Sequence, residues 1–137
     1  MRLVILYAVA VIFGSRALPA SAEDSAYDLQ ERCGATVRSI YGEQDRNVSE
    51  GNGTKVTHYE NNYYAPLNTC IALVDTTYIN NDHLQARQSL LIDVSRNKLI
   101  ASLFINYMEG KPSMCSFLKV SCNSEAEYNS KVASYLK

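Results

Sequence analysis

Apolar residues recur at helical spacing near the start of the chain's polar part and again at its end, with strand-like runs between. In "SAYDLQERCGATVRSIYG", Leu29, Cys33, Val37 and Ile40 fall every three to four residues, which puts them on one face of a helix. Ser25 can cap its first turn, and Asp28, three residues on, makes a capping box with a shortened acid. Gly42 offers a left-handed stop. The polar stretch "GEQDRNVSEGNGTK" reads as a surface loop or hairpin turn. Val56, His58 and Glu60 then alternate with Thr57 and Tyr59, predicting a strand from Lys55 to Glu60. "NNYYAP" predicts a bend fixed by Pro66, so Tyr59 to Tyr64 would form a tyrosine-bearing turn.

"CIALVDTTYI" is the strongest strand, dense in β-branched residues, and "NNDHLQAR" breaks it. "SLLIDV", "SRNK" and "LIASLFI" form a strand, a turn and a strand. "YMEGKPSM" reads as a loop and "CSFLKVSC" as one short strand. Ser124 followed by Glu127 opens a last helix, on which Tyr128, Val132 and Tyr135 recur at helical spacing and would cover the sheet. The expected fold class is α+β: an antiparallel sheet of four or five strands with an N-terminal and a C-terminal helix packed on it, both on one face.

The N-terminus changes the domain count rather than the fold. Arg2, the apolar run Leu3 to Phe13 and Ala20-Ser21-Ala22 have the order of a secretory leader, with cleavage expected before Glu23. The run falls short of the roughly 20 apolar residues a stable membrane span needs. Residues 1–22 are therefore read as a signal peptide and 23–137 as a single domain, in the periplasm or secreted. Without Arg2 and Arg16 the formal charge moves from −1 to −3, and no basic run is left to hold nucleic acid.

Cys33, Cys70, Cys115 and Cys122 all follow the leader, and an even count in an exported small domain implies two disulfides. Spacing alone allows three connectivities. Cys115 and Cys122 enclose only "SFLKVS", suited to a strand joined to the next turn, which leaves Cys33 and Cys70 to tie the first helix to the sheet. Zinc competes for the same cysteines together with His58 and His83, but no close Cys-x2-Cys pair organises them, so no metal and no cofactor are expected. Asn47-Val48-Ser49 and Asn52-Gly53-Thr54 fit the glycosylation pattern, which has meaning only in a eukaryotic secretory pathway.

Several of these marks occur together: one cysteine on a first helix, His58-Tyr59, Leu67-Asn68-Thr69-Cys70 before an apolar strand, and Asp93 ahead of a turn. Lys111 to Cys115, Cys122 and the final helix complete the pattern. In this the chain resembles a group of uncharacterised small exported bacterial proteins. The resemblance implies a soluble or lipid-anchored envelope protein, and it carries no activity, ligand or catalytic residue. Glu60-Asn61 stands where that group often has asparagine directly after the His-Tyr pair.

Candidate chemistry centres on "HYENNYYAPLNTC". His58 could act as a general base if Asp75 or Asp93 oriented it, with His83 as a second imidazole. Tyr59, Tyr63 and Tyr64 offer apolar faces and hydroxyls for a sugar or a peptide. No Gly-x-Ser-x-Gly elbow supplies a nucleophile, and no glycine-rich phosphate loop is present. The expected function is thus a non-catalytic, inhibitor- or immunity-like protein that binds another envelope or secreted protein through His58, Tyr59, Tyr63 and Tyr64. The alternatives are a small periplasmic hydrolase using His58 with a carboxylate, and a purely structural envelope protein.

Overall fold

A computed structural model describes residues 25–43, 47–50 and 53–137; the leader and cleavage site expected from the sequence lie outside them. In chain order the elements are α1 (Ala26–Tyr41), β1 (Asn47–Glu50), β2 (Gly53–Tyr64), a 3-10 turn (Ala65–Leu67), β3 (Thr69–Asn80), β4 (His83–Asp93), β5 (Lys98–Asn106), β6 (Lys111–Phe117), β7 (Val120–Ser121) and α2 (Glu125–Val132). All the strands lie antiparallel in one sheet, each beside its sequence neighbours. The α+β architecture with a helix at each end holds. The sheet has seven strands rather than four or five.

The additional strands arise where polar residues hid pairing. β1 comes from the polar stretch before Lys55 and pairs with the start of β2. "CSFLKVSC" is not one strand, because Leu118 and Lys119 adopt φ of 49° and 68° and fold it into the β6–β7 hairpin. "NNYY" does not bend: it continues β2 to Tyr64, and the reversal waits for Asn68, left-handed at φ 46°. Asn81 and Asp82, both left-handed, turn β3 into β4 in two residues, the geometry a tight hairpin favours.

α1 begins at the expected capping box, with the Asp28 N–H donating to Ser25 Oγ (3.2 Å) and the Ser25 N–H donating to Asp28 Oδ2 (3.1 Å). Its end differs from expectation: Gly42 is right-handed at φ −60°. What glycine supplies there is room, since a Cβ would stand 2.4 Å from the Arg38 carbonyl oxygen. Ser124 caps α2 by accepting the Glu127 N–H at 3.1 Å.

The two helices cover opposite faces of the sheet, not one. Successive strand residues point to opposite sides, and on β3 this sorts Cys70 and Ala72 from Ile71 and Leu73. Cys70 and Ala72 pack with Cys33 and Val37 of α1. Ile71 and Leu73 join Leu91, Leu103 and Ile105 beneath Tyr128 and Val132 of α2, the larger core. Both disulfides form as expected, Cys33–Cys70 and Cys115–Cys122, with Cα separations of 5.2 and 5.1 Å. Among the described residues no helix is long and apolar enough to cross a membrane.

Two buried polar points fix the cores. The Tyr128 side chain is fully buried, its hydroxyl donating to Ser89 Oγ (3.2 Å); burial drives its pKa up to about 12. Asp93, nearly buried, accepts from Thr69 Oγ1, from the Arg96 N–H (3.0 Å) and from Arg96 Nη1 (2.8 Å). Burial opposes its charge, but those hydrogen bonds hold the carboxyl below its ordinary value.

Tyr128→Phe should lower stability by about 1–2 kcal/mol in urea unfolding, because it leaves the Ser89 hydroxyl buried without its donor. Asp93→Asn should cost about 1–3 kcal/mol at neutral pH. A depressed folded pKa means that the carboxylate's contribution is complete above the ordinary value of 3.8 and is lost as pH falls through the lower folded value. Unfolding free energy measured against pH should therefore fall more steeply in acid for the parent than for Asp93→Asn.

Candidate functional site

The tyrosine-rich segment lies on β2, and strand alternation divides it. Tyr59, Asn61 and Tyr63 share the α1 face, opposite Val74, Ala72 and Cys70 of β3. His58, Glu60, Asn62 and Tyr64 share the α2 face, opposite Asp75, Leu73, Ile71 and Thr69. His58 is exposed, while Tyr59, Tyr63 and Tyr64 are half-buried. The four candidate residues therefore do not form one patch.

Most of the segment is occupied in holding the ends of the chain. Gln30 of α1 reaches β2 twice: its Nε2 donates to Asn61 Oδ1 (3.2 Å), and its Oε1 accepts the Tyr63 N–H (2.6 Å). The Tyr63 hydroxyl donates to Asn68 Oδ1. On the other face Asn62 Nδ2 donates to the carbonyls of Tyr135 (2.8 Å) and Lys137 (3.2 Å). Tyr64 stacks on Tyr135 with ring centroids 4.6 Å apart. Gln30 and the two asparagines were not singled out from the sequence. The signal was there in part, since Asn61-Asn62 interrupts the chain without a glycine or proline beside it.

His58 and Asp75 face each other across β2 and β3, but the other two candidates lie elsewhere. His83 and Asp93 stand at opposite ends of β4, roughly 30 Å apart at the usual strand rise. Asp75 Oδ1 accepts from Arg87 Nε (3.1 Å) and Nη2 (2.9 Å), and Arg87 Nη1 donates to Glu125 Oε1 (2.6 Å). Tyr107 borders this network; burial and then the charge of Glu125 raise its hydroxyl pKa. The arrangement is an ion network joining β3, β4 and α2. Among the described residues no cluster of three or more histidine, cysteine or acidic side chains could hold a metal.

A different surface is left open. On the α1 face Val74 is buried, but Leu90, Ile92 and Phe104 are only half-buried and belong to neither cluster, and Leu99 and Met114 are 54% and 58% exposed. Pairing register places Tyr59, Val74 and Leu90 in one row across the sheet and Thr57, Thr76, Gln88, Phe104 and Met114 in the next. A cavity of about 360 Å³ lies at the β2 end of these rows, between Tyr41, Lys55, Val74 and Leu90. The hydroxyls on this face are paired with each other, Thr57 with Thr76 (3.2 Å) and Ser102 with Ser116 (2.9 Å). A second cavity of about 240 Å³ opens beside the Cys33–Cys70 bridge, bordered by Arg32, Thr36, Tyr63 and Asn68. No protein-family model, curated protein or solved structure matches this chain.

Proposed function

We propose that this is an exported, non-catalytic protein-binding domain, inhibitor- or immunity-like, that docks another envelope or secreted protein on the open half of its sheet. The observation that carries the reading is the apolar set Leu90, Ile92, Phe104 and Met114, half-buried to exposed and packed in neither helix-covered core. Thr57, Thr76 and Ser102 beside it are already buried, and their hydroxyls pair with each other or with Ser116, so docking strands no donor or acceptor among them. Tyr59, at the border with α1, adds an aromatic side chain of the kind that anchors interfaces. The leader and the two disulfides support a periplasmic or extracellular setting.

A hydrolase built on His58 would use the other face, where Asp75 is engaged by Arg87. Tyr63 and Tyr64, the aromatic anchors expected from the sequence, bond to Asn68 and stack on Tyr135, so they serve the fold first. The docking role accordingly shifts to Tyr59 and the rows beside it.

Affinity capture from envelope extract, followed by titration of the captured protein against variants, tests this. Leu90→Asp and Phe104→Asp should each weaken binding by about 1–2 kcal/mol or more while the sheet stays folded. Tyr64→Phe should bind as the parent does. Undiminished binding by both aspartate variants would remove the surface, and hydrolysis of an envelope substrate lost in a folded His58→Ala protein would replace the reading with an enzymatic one.

A further inference from the structure

The outer edge of β2 is the most conditional part of the fold. β1 pairs only with Gly53–Val56, so beyond Val56 no strand among the described residues lies outside β2. The Tyr63 N–H, which donates to Gln30, points outward. Alternation turns the N–H and C=O groups of Asn61 and Tyr59 outward with it. Cys70, opposite Tyr63, fits this phase, since its own N–H and C=O bond to Ser95 and Val94 on the far side. α1 covers this edge: Gln30 bonds to it, and a Cβ on Gly34 would stand 3.4 Å from Asn61 Oδ1.

α1 is lightly held. Of its apolar side chains only Cys33 and Val37 are buried, and Ile40 is 49% exposed. The Cys33–Cys70 bond is therefore its main anchor, and the cavity of about 240 Å³ borders that bond, whose cysteines are 3% and 7% exposed.

We propose that the Cys33–Cys70 disulfide latches α1 over a strand-addition surface, and that its reduction lets the outer edge of β2 pair with the same edge of a second copy. A dithiol reductant supplies the electrons. One of its thiolates attacks a cystine sulfur, breaking the bond and forming a mixed disulfide; its second thiol then displaces the protein. The reductant leaves as a disulfide and Cys33 and Cys70 remain as thiols, a transfer of two electrons and two protons. With α1 released, the edge offers unpaired backbone groups, the usual template for strand addition.

A second copy is the occupant because the segment is complementary to itself. Antiparallel two-fold pairing centred on Asn61 sets Tyr59 of one copy opposite Tyr63 of the other, both on the face α1 vacates. On the other face it sets Glu60 opposite Asn62 and His58 opposite Tyr64, so no like charges stand directly opposite each other. The backbone edge is distinct from the face assigned to partner docking, although the two share Tyr59.

The test uses Cys33→Ser/Cys70→Ser with Cys115–Cys122 intact, and the parent with and without a small dithiol. Sedimentation should find the oxidised parent as a monomer, and the double variant and the reduced parent at twice that mass. Adding Asn61→Pro to the double variant should restore the monomer, because it removes an outward N–H without touching the β3 ladder. Hydrogen exchange at the Leu91 and Leu103 amides should stay slow throughout, showing that the sheet persists. A monomeric double variant, a dimeric oxidised parent, a dimer that survives Asn61→Pro, or loss of Leu91 and Leu103 protection on opening the bridge would each overturn the proposal.

Discussion

Asn61 and Asn62 are neighbours on one strand and point to opposite sides of the sheet, and the placement of both helices depends on that alternation. Asn61 meets Gln30 of α1, while Asn62 holds the carbonyls of Tyr135 and Lys137 beyond α2. Each aromatic neighbour repeats the division, Tyr63 toward α1 and Tyr64 onto Tyr135. A one-residue slip of β2 against β3 would exchange the two sets and detach both ends of the chain. β2 is thus the strand on which the N-terminal and C-terminal elements are registered to each other, and Cys70 in the facing position makes one of those attachments covalent.

The division into two faces also accounts for the unequal cores. α2 is short, but it closes the face carrying Ile71, Leu73, Leu91, Leu103 and Ile105, and Tyr128 fills its centre. α1 is twice as long and buries less, because it lies toward the sheet's edge rather than across its middle. The surface it leaves open is therefore a consequence of its other task at β2.

Where the chemistry was local, the fold was legible in the sequence. Ser25 with Asp28 and Ser124 with Glu127 mark helix starts through bonds closed within a few residues. The disulfides followed from the short spacing of Cys115 and Cys122 and from Cys33 on a helical face. What was not legible depends on partners distant in the chain. Polar residues in β1 and in the later half of β2 pair well enough as strands once β3 lies beside them, yet they carry no hydrophobic alternation. Gln30 has nothing nearby to distinguish it, since its partners Asn61 and Tyr63 are over 30 residues away. Of the candidate site, the division of the tyrosine-rich segment between two faces was not legible, because a bend was read where Asn68 places the reversal four residues beyond Tyr64. The partly open face was hidden for another reason: Leu90, Ile92 and Phe104 look like core residues until the helices are seen to occupy other ground.

Strands that pair only with their sequence neighbours impose a timetable on a chain that is delivered from its N-terminus. Each hairpin can close as soon as its second strand arrives, with little loop entropy to overcome. α1 is delivered first and yet has no surface to rest on until Cys70 follows, 37 residues behind Cys33. Through that interval Cys33 travels as a lone thiol, and the next cysteine to reach it is the correct one. Were the bond to close as Cys70 arrives, chain order alone would exclude the two wrong pairings before Cys115 and Cys122 have appeared.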